Sequence, residues 1–226
     1  ENSYAQSPAP TAAALKADFP EVEQSARLRD RGGNQVKKGN QNIQEDRMIY
    51  ADPSIFSVFT LPMISGSPST ALKETHTVVI NEKTALKYFN TTNAVGKVFT
   101  FNDTALYKVT GVIKNIPKQS HFNYDFFLSM PSLPESKENA WFSNNFNTYV
   151  LLRSGTDADK FAAKLPGFLH KQAGPQLEAI LHLTFEKMEQ SGNYFRLSLT
   201  PVKKIHLYSN VVGELSANGN IQYVYI

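Results

Sequence analysis

Apolar residues along this 226-residue chain recur at two spacings, and the switches between them mark out its elements. In SPAPTAAALKADFP, residues 7–20, Ala12, Leu15 and Phe19 share one helical face. Pro8 and Pro10 suit a first turn, Thr11 can cap, and Pro20 stops the helix. Val22, Gln24, Ala26 and Leu28 then alternate, which predicts a strand with one buried face. The polar, Gly- and Asn-rich stretch 30–47 reads as a hairpin loop or mobile excursion. Met48–Ala51 is strand-like, and Asp52-Pro53 opens a turn in which Phe56 and Phe59 fall on one helical face. SGSPST, 65–70, reads as a loop.

A short buried strand at Val78–Ile80 runs into a two-turn helix capped by Asn81, with Glu82 in its first turn and Ala85 and Phe89 four apart. Val98–Phe101 and 107–114 form a hairpin about NDTA, closed by Pro117. Phe126 and Leu128 share one side of a further strand, and Phe146, Thr148, Val150 and Leu152 alternate in a stronger one. Phe161, Leu165, Phe168 and Leu169 stripe a helix capped by Thr156 or Asp157 and kinked or restarted at Pro166. GPQLEAILHLTF is a second short helix or a strand, and Phe195, Leu197 and Leu199 alternate as a strand. Short helices and strands mix with few strand–helix–strand repeats, so the fold class is α+β.

Composition narrows the function classes. A net charge of +3, spread along the chain, leaves RLRDR (27–31) and the two VKK runs (36–38, 202–204) as solvated surface, and no basic stripe points to nucleic acid. The absence of cysteine excludes disulfides, thiolate metal sites and cysteine nucleophiles. No stretch approaches the ~18 apolar residues of a membrane span.

Candidate chemistry is sparse. His76, His121, His170, His182 and His206 show no metal-binding spacing. SGSPS lacks the flanking glycines of a nucleophile elbow. Gly96-Lys97 has no Gly-rich loop before it, and Gly96 is better explained by a turn needing positive φ. Asp157 and Asp159 suit a helix N-terminus, and Glu186 and Glu189 look solvated. The expectation is therefore no catalytic residue, no cofactor and no metal, and a binding or mechanical role.

One long stretch carries a resemblance. Its features are Asp52-Pro53 with Phe56 and Phe59, Leu61-Pro62 and Gly66, Ala71-Leu72, Val78-Val79-Ile80, Ala85 with Tyr88-Phe89, and Val95-Gly96-Lys97. Val109 to Val112 follow with Gly111 between them, then Pro117, Ser120-His121 and Asp125-Phe126. In this order they resemble the extracytoplasmic domain of MacB/FtsX-type ABC transporter permeases of the form common in Bacteroidetes. SPAPTAAALKADFPEVEQSARL resembles the family's start after a first membrane helix, and LTPVKKIHLYSN with NGNIQYVYI its exit before a second.

The resemblance implies a porter-like lobe, 1–50 with 120–216, and an inserted smaller β-rich lobe, 51–119. Residues 217–226 would lead into a membrane helix, with Tyr223 and Tyr225 as interfacial aromatics. Pro53, Phe56, Phe59, Gly96, Gly111 and Pro117 become turn and packing residues. The implied role is mechanotransmission at the periplasmic face of the inner membrane. Its partners would be a cytosolic ATPase, a second permease copy, and a periplasmic adaptor or envelope protein, without nucleic acid. A soluble envelope module binding a peptide or glycan is the alternative. An envelope hydrolase, which needs a buried, perturbed acid–base pair, stands third.

Overall fold

A computed structural model describes residues 3–117, 119–209 and 211–215. The expected membrane lead-in, with Tyr223 and Tyr225, lies outside the described residues. The first half holds β1 (Ser7–Pro8), α1 (Thr11–Asp18), β2 (Val22–Arg29), β3 (Asn34–Lys38), β4 (Gln41–Glu45), β5 (Met48–Ala51), α2 (Ile55–Val58), β6 (Met63–Gly66), β7 (Thr77–Asn81), α3 (Glu82–Phe89), β8 (Val98–Phe101) and β9 (Ala105–Ile113). After these come β10 (Phe126–Ser129), β11 (Asn144–Leu152), α4 (Ala158–Ala162), α5 (Leu165–Leu181), α6 (Phe185–Gln190) and α7 (Val202–Tyr208). The fold is α+β.

The strands form one mixed sheet in the order β1-β11-β2-β5-β10-β7-β9-β8-β3-β4, with β6 on the flank of β9. Two pairings are parallel, β5 with β10 and β7 with β9. The expected insertion, 51–119, supplies β6 to β9. Its sequence neighbours β5 and β10 are hydrogen-bonded into the same sheet.

Both faces of the central strands are covered, so β7 and β10 are buried at every position. Successive side chains of a strand point to opposite faces. Phe126 and Leu128 accordingly enter one core, with Val78, Ile80, Phe99 and Phe101, while Phe127 enters another, with Leu28, Ile49, Ile55 and Val79. A third core lies under the helices and gathers Leu15, Val22, Trp141, Phe161, Leu165, Phe168, Leu177 and Phe185.

Several local expectations hold in detail. The Asn81 side chain accepts from the Thr84 N–H at 2.9 Å and caps α3, which ends on Asn90 in the left-handed region.

Others are corrected. The 30–47 stretch, expected as a hairpin loop or mobile excursion, instead holds two strands of its own, the β3–β4 hairpin. Pro10, not Thr11, takes the N-cap position of α1. Residues 65–66, the first two of the expected loop, belong to β6 and pair with β9. GPQLEAILHLTF does not open a new element: α5 runs through Pro175 to Leu181. Burial of Leu165, Phe168, Leu169, Ala173 and Leu177 along one face holds the helix together where a proline would otherwise divide it. Residues 195–199 keep their alternation, with Phe195, Leu197 and Leu199 half-buried, but form no ladder among the described residues.

Two glycines separate conformational from steric need. Gly96 has φ +88°, and a Cβ added there would meet nothing within 4 Å, whereas a Cβ on Gly66 (φ +91°) would lie 2.4 Å from the Thr110 carbonyl oxygen. Gly96→Ala is expected to cost about 1–2 kcal/mol for the left-handed backbone. Gly66→Ala should lose about 1–3 kcal/mol more through the collision. Urea unfolding compares them, and equal losses would mean that the sheet absorbs the clash.

Candidate functional site

The densest polar constellation lies where the helical half meets the sheet. Asp52, at the head of the Asp52-Pro53 turn, accepts from three donors of Arg27: the backbone N–H (2.8 Å), Nε (2.9 Å) and Nη2 (3.0 Å). Arg27 Nη1 donates to the carbonyls of Ala9 and Ser136, both at 2.8 Å. One guanidinium thus ties β2 to the start of α1, to the turn before α2 and to the loop after β10. Ser54 Oγ adds a bond to the Ser25 carbonyl at 2.6 Å. Two residues along β2, Arg29 Nε donates to Glu135 Oε1 at 2.7 Å, and both guanidinium groups lie over the Phe146 ring.

RLRDR was expected to be solvated surface, and the structure corrects this. The Arg27 and Arg29 side chains are only 16% and 14% exposed, while Arg31 is 54% exposed. A delocalised, planar cation can be withdrawn from water when its fork is fully matched by acceptors. The Asp-Pro pair was visible in the sequence, but its partner 25 residues upstream carried no mark of its role.

Beside this anchor sits an aromatic knot. The Phe59 ring packs on His121, Phe122 and Tyr149 with centroids 5.6, 5.1 and 5.0 Å away. His121 Nε2 is 3.2 Å from the Tyr149 hydroxyl. The Tyr124 hydroxyl faces Asp30 Oδ2 and the Leu215 carbonyl, both at 3.1 Å. Burial, then the Glu214 charge, pushes Tyr149 well above the ordinary phenol range; burial, then Asp30, does the same to Tyr124. Both phenols therefore stay neutral and serve as hydrogen-bonding and packing groups.

The remaining sequence-predicted residues are spread around these features. Phe56 and Phe59 are half-buried against the same core, and Pro53 is half-buried in the turn. Gly96 turns the chain, its N–H donating to the Val109 carbonyl at 2.9 Å. Gly111 lies at a β-bulge beside Val79, where a Cβ would press on Met63 and Val79 at 3.1–3.2 Å. Pro117 is exposed beyond β9. His170 stacks on Phe185 (4.4 Å, 15°), His76 lies against Tyr107, and His182 ends α5 in the left-handed region. Among the described residues no three His, Asp or Glu groups converge as metal ligands, and no helix is long and apolar enough to cross a membrane.

Residues 2–167 match the MacB-like periplasmic core domain family, and the chain belongs to that family. A domain of a protein described as a permease, from Porphyromonas gingivalis, superposes with TM-score 0.67 at 22% identity, covering 75% of this chain and 79% of that one. The periplasmic region of MacB from Actinobacillus actinomycetemcomitans gives TM-score 0.53 at 14% identity over 84% and 85% of the two chains. The extracellular domain of the ABC-type transporter YknZ from Gram-positive bacteria gives 0.50 at 16% identity over 81% and 88%. No curated protein matches the sequence. The general kind is a periplasmic domain of an ABC-type transporter permease.

Proposed function

We propose that this domain transmits ATP-driven movement of a permease's membrane helices to a substrate or an envelope partner, without catalytic chemistry of its own. The ATP would be hydrolysed by a cytosolic ATPase. A second permease copy would complete the machine, and a periplasmic adaptor or envelope protein would receive the motion. We take 1–50 with 120–216 as the porter-like portion and 51–119 as the smaller insertion.

The observation that carries this reading is the sharing of two long strands between cores. In β2, Val22 belongs to the helical core while Ala26 and Leu28 belong to the sheet core. In β11, Val150 and Leu152 pack on the helical core and Tyr149 on the sheet core. Two strands running through both cores, pinned by Arg27 and Asp52, suit a body that moves as one. Transmission needs a rigid part with discrete dispositions that ATP biases.

The test uses the full-length permease with its ATPase, in a cysteine-free background, spin-labelled at Lys97→Cys and Lys160→Cys. Trapping ATP should change distances between copies while the 97–160 distance within a copy stays constant. An inter-copy distance that never moves, or an internal distance that changes as much, would overturn the reading.

A further inference from the structure

Two segments from opposite ends of the sequence, 3–8 and 211–215, meet on one buried amide. Asn147, on β11, is only 4% exposed, and its Nδ2 donates to the Ala5 carbonyl at 3.2 Å and to the Gly213 carbonyl at 3.0 Å. The segments also bond to each other. Tyr4 and Val212 form a parallel bridge, in which the Ala5 N–H donates to the Val212 carbonyl (2.8 Å) and the Val212 N–H to the Ser3 carbonyl (3.1 Å). Each segment is then fixed to the body on its own. Ser7 Oγ donates to the Thr148 hydroxyl at 2.7 Å, and Ser7 and Pro8 pair with β11. Leu215 packs on the sheet core, and its carbonyl accepts from the Tyr124 hydroxyl.

A strand residue this buried is ordinarily apolar, and a buried amide costs stability unless its groups are matched. Both partners of Asn147 are carbonyls, so only the NH2 end of the amide can face them. One side chain thus gives a donor to each of two segments. The pairing also has a direction. Parallel strands run the same way, so Ser3 and Leu215 lie at opposite ends of the contact. Opposed pulls on them act along the strands, across the hydrogen bonds between them, and load those bonds together. An antiparallel contact pulled from its open end would yield its bonds one after another.

We infer that residues 3–8 and 211–215 form a shear clamp with Asn147 as its crosspiece, so that a pull on either segment is delivered to β11 through both. The inference deepens the force-transmission reading and rests on it for its purpose, since membrane helices that move the domain would act through these two segments. The clamp itself is a property of this chain. It is therefore tested on the chain alone, without permease or ATPase, and its failure is separate from a failure of that reading. Asn147 is a positioning residue, and its nearest isostere breaks it: ionised Asp keeps the shape but sets acceptors against two carbonyl oxygens.

In Asn147→Asp, amide exchange at Ala5 and Val212 should quicken at least about tenfold, while the β2–β11 ladder keeps its protection. Pulled from its two ends in an optical trap, the wild type should hold residues 3–8 and 211–215 until the body unfolds. The variant should show an early lengthening as they detach. The chain has no cysteine, so Tyr4→Cys with Val212→Cys, both exposed and facing each other in the bridge, places a single disulfide across the contact. Added to Asn147→Asp, it should abolish the early lengthening when oxidised and not when reduced, which separates a lost clamp from a damaged fold. Unchanged exchange at Ala5 and Val212, loss of protection throughout β11, early lengthening already in the wild type, or a disulfide that restores nothing would each overturn the inference.

Discussion

Arg27→Ala should lower unfolding stability by about 3–5 kcal/mol, far beyond the effect of an ordinary surface arginine. The removed guanidinium leaves a carboxylate that is only 17% exposed without its cation. It also strips a charged donor from the Ala9 and Ser136 carbonyls. Unsatisfied groups of this kind cost about 1–3 kcal/mol each when buried. The double replacement Arg27→Met with Asp52→Leu should be less damaging than Arg27→Ala, because no charge is stranded. Urea denaturation of the wild type, Arg27→Ala and the double variant measures this directly. A single-mutant loss below about 1 kcal/mol, the yield of an exposed pair, would show that the anchor is ornamental.

Phe126→Ala should be comparably severe, at about 3–5 kcal/mol. Phe126 is completely buried, on a strand covered on both faces. Its ring contacts Phe99, Phe101 and Tyr88 at centroid distances of 5.4, 6.0 and 6.2 Å. Neighbouring strands hold these rings in place, so the void cannot collapse. For a chain of this size the melting temperature should fall by about 10 °C. Phe56→Ala removes the same ring from a half-buried position on α2 and should cost clearly less. Calorimetry decides between them, and equal losses would contradict the burial pattern.

How much was legible in the sequence varies with the range of the interaction. Asn81 as a cap and the Asn102-Asp103 turn are local devices, and their residues declare them. Period-2 alternation correctly put Phe126 and Leu128 on one side. Nothing local said that Phe127 faces a second core, because that depends on what covers the other face. Lobe boundaries at 51 and 119 came from the order of motifs. The parallel pairing of β5 with β10 joins segments far apart in the chain and leaves no trace in either one. GPQLEAILHLTF looked like a separate element because propensity speaks for the isolated segment; burial of one face carries α5 through Pro175.

The candidate site divides in the same way. The turn at Asp52-Pro53 and the positive-φ need at Gly96 follow from residue type and spacing, whereas Phe59, read onto one helical face with Phe56, follows α2 in extended backbone. The family resemblance rested on those features in order, and the MacB-like periplasmic core domain match covers residues 2–167. The sequence by itself therefore determined the α+β class, most local elements and the kind of protein. Only the tertiary structure decided that Arg27 is an anchor and not surface charge, and that residues 195–199 alternate without joining a ladder among the described residues. The physical reason is that periodicity and capping act within a few residues, whereas the matching of a buried cation, or the pairing of a strand edge, depends on groups brought together by the fold.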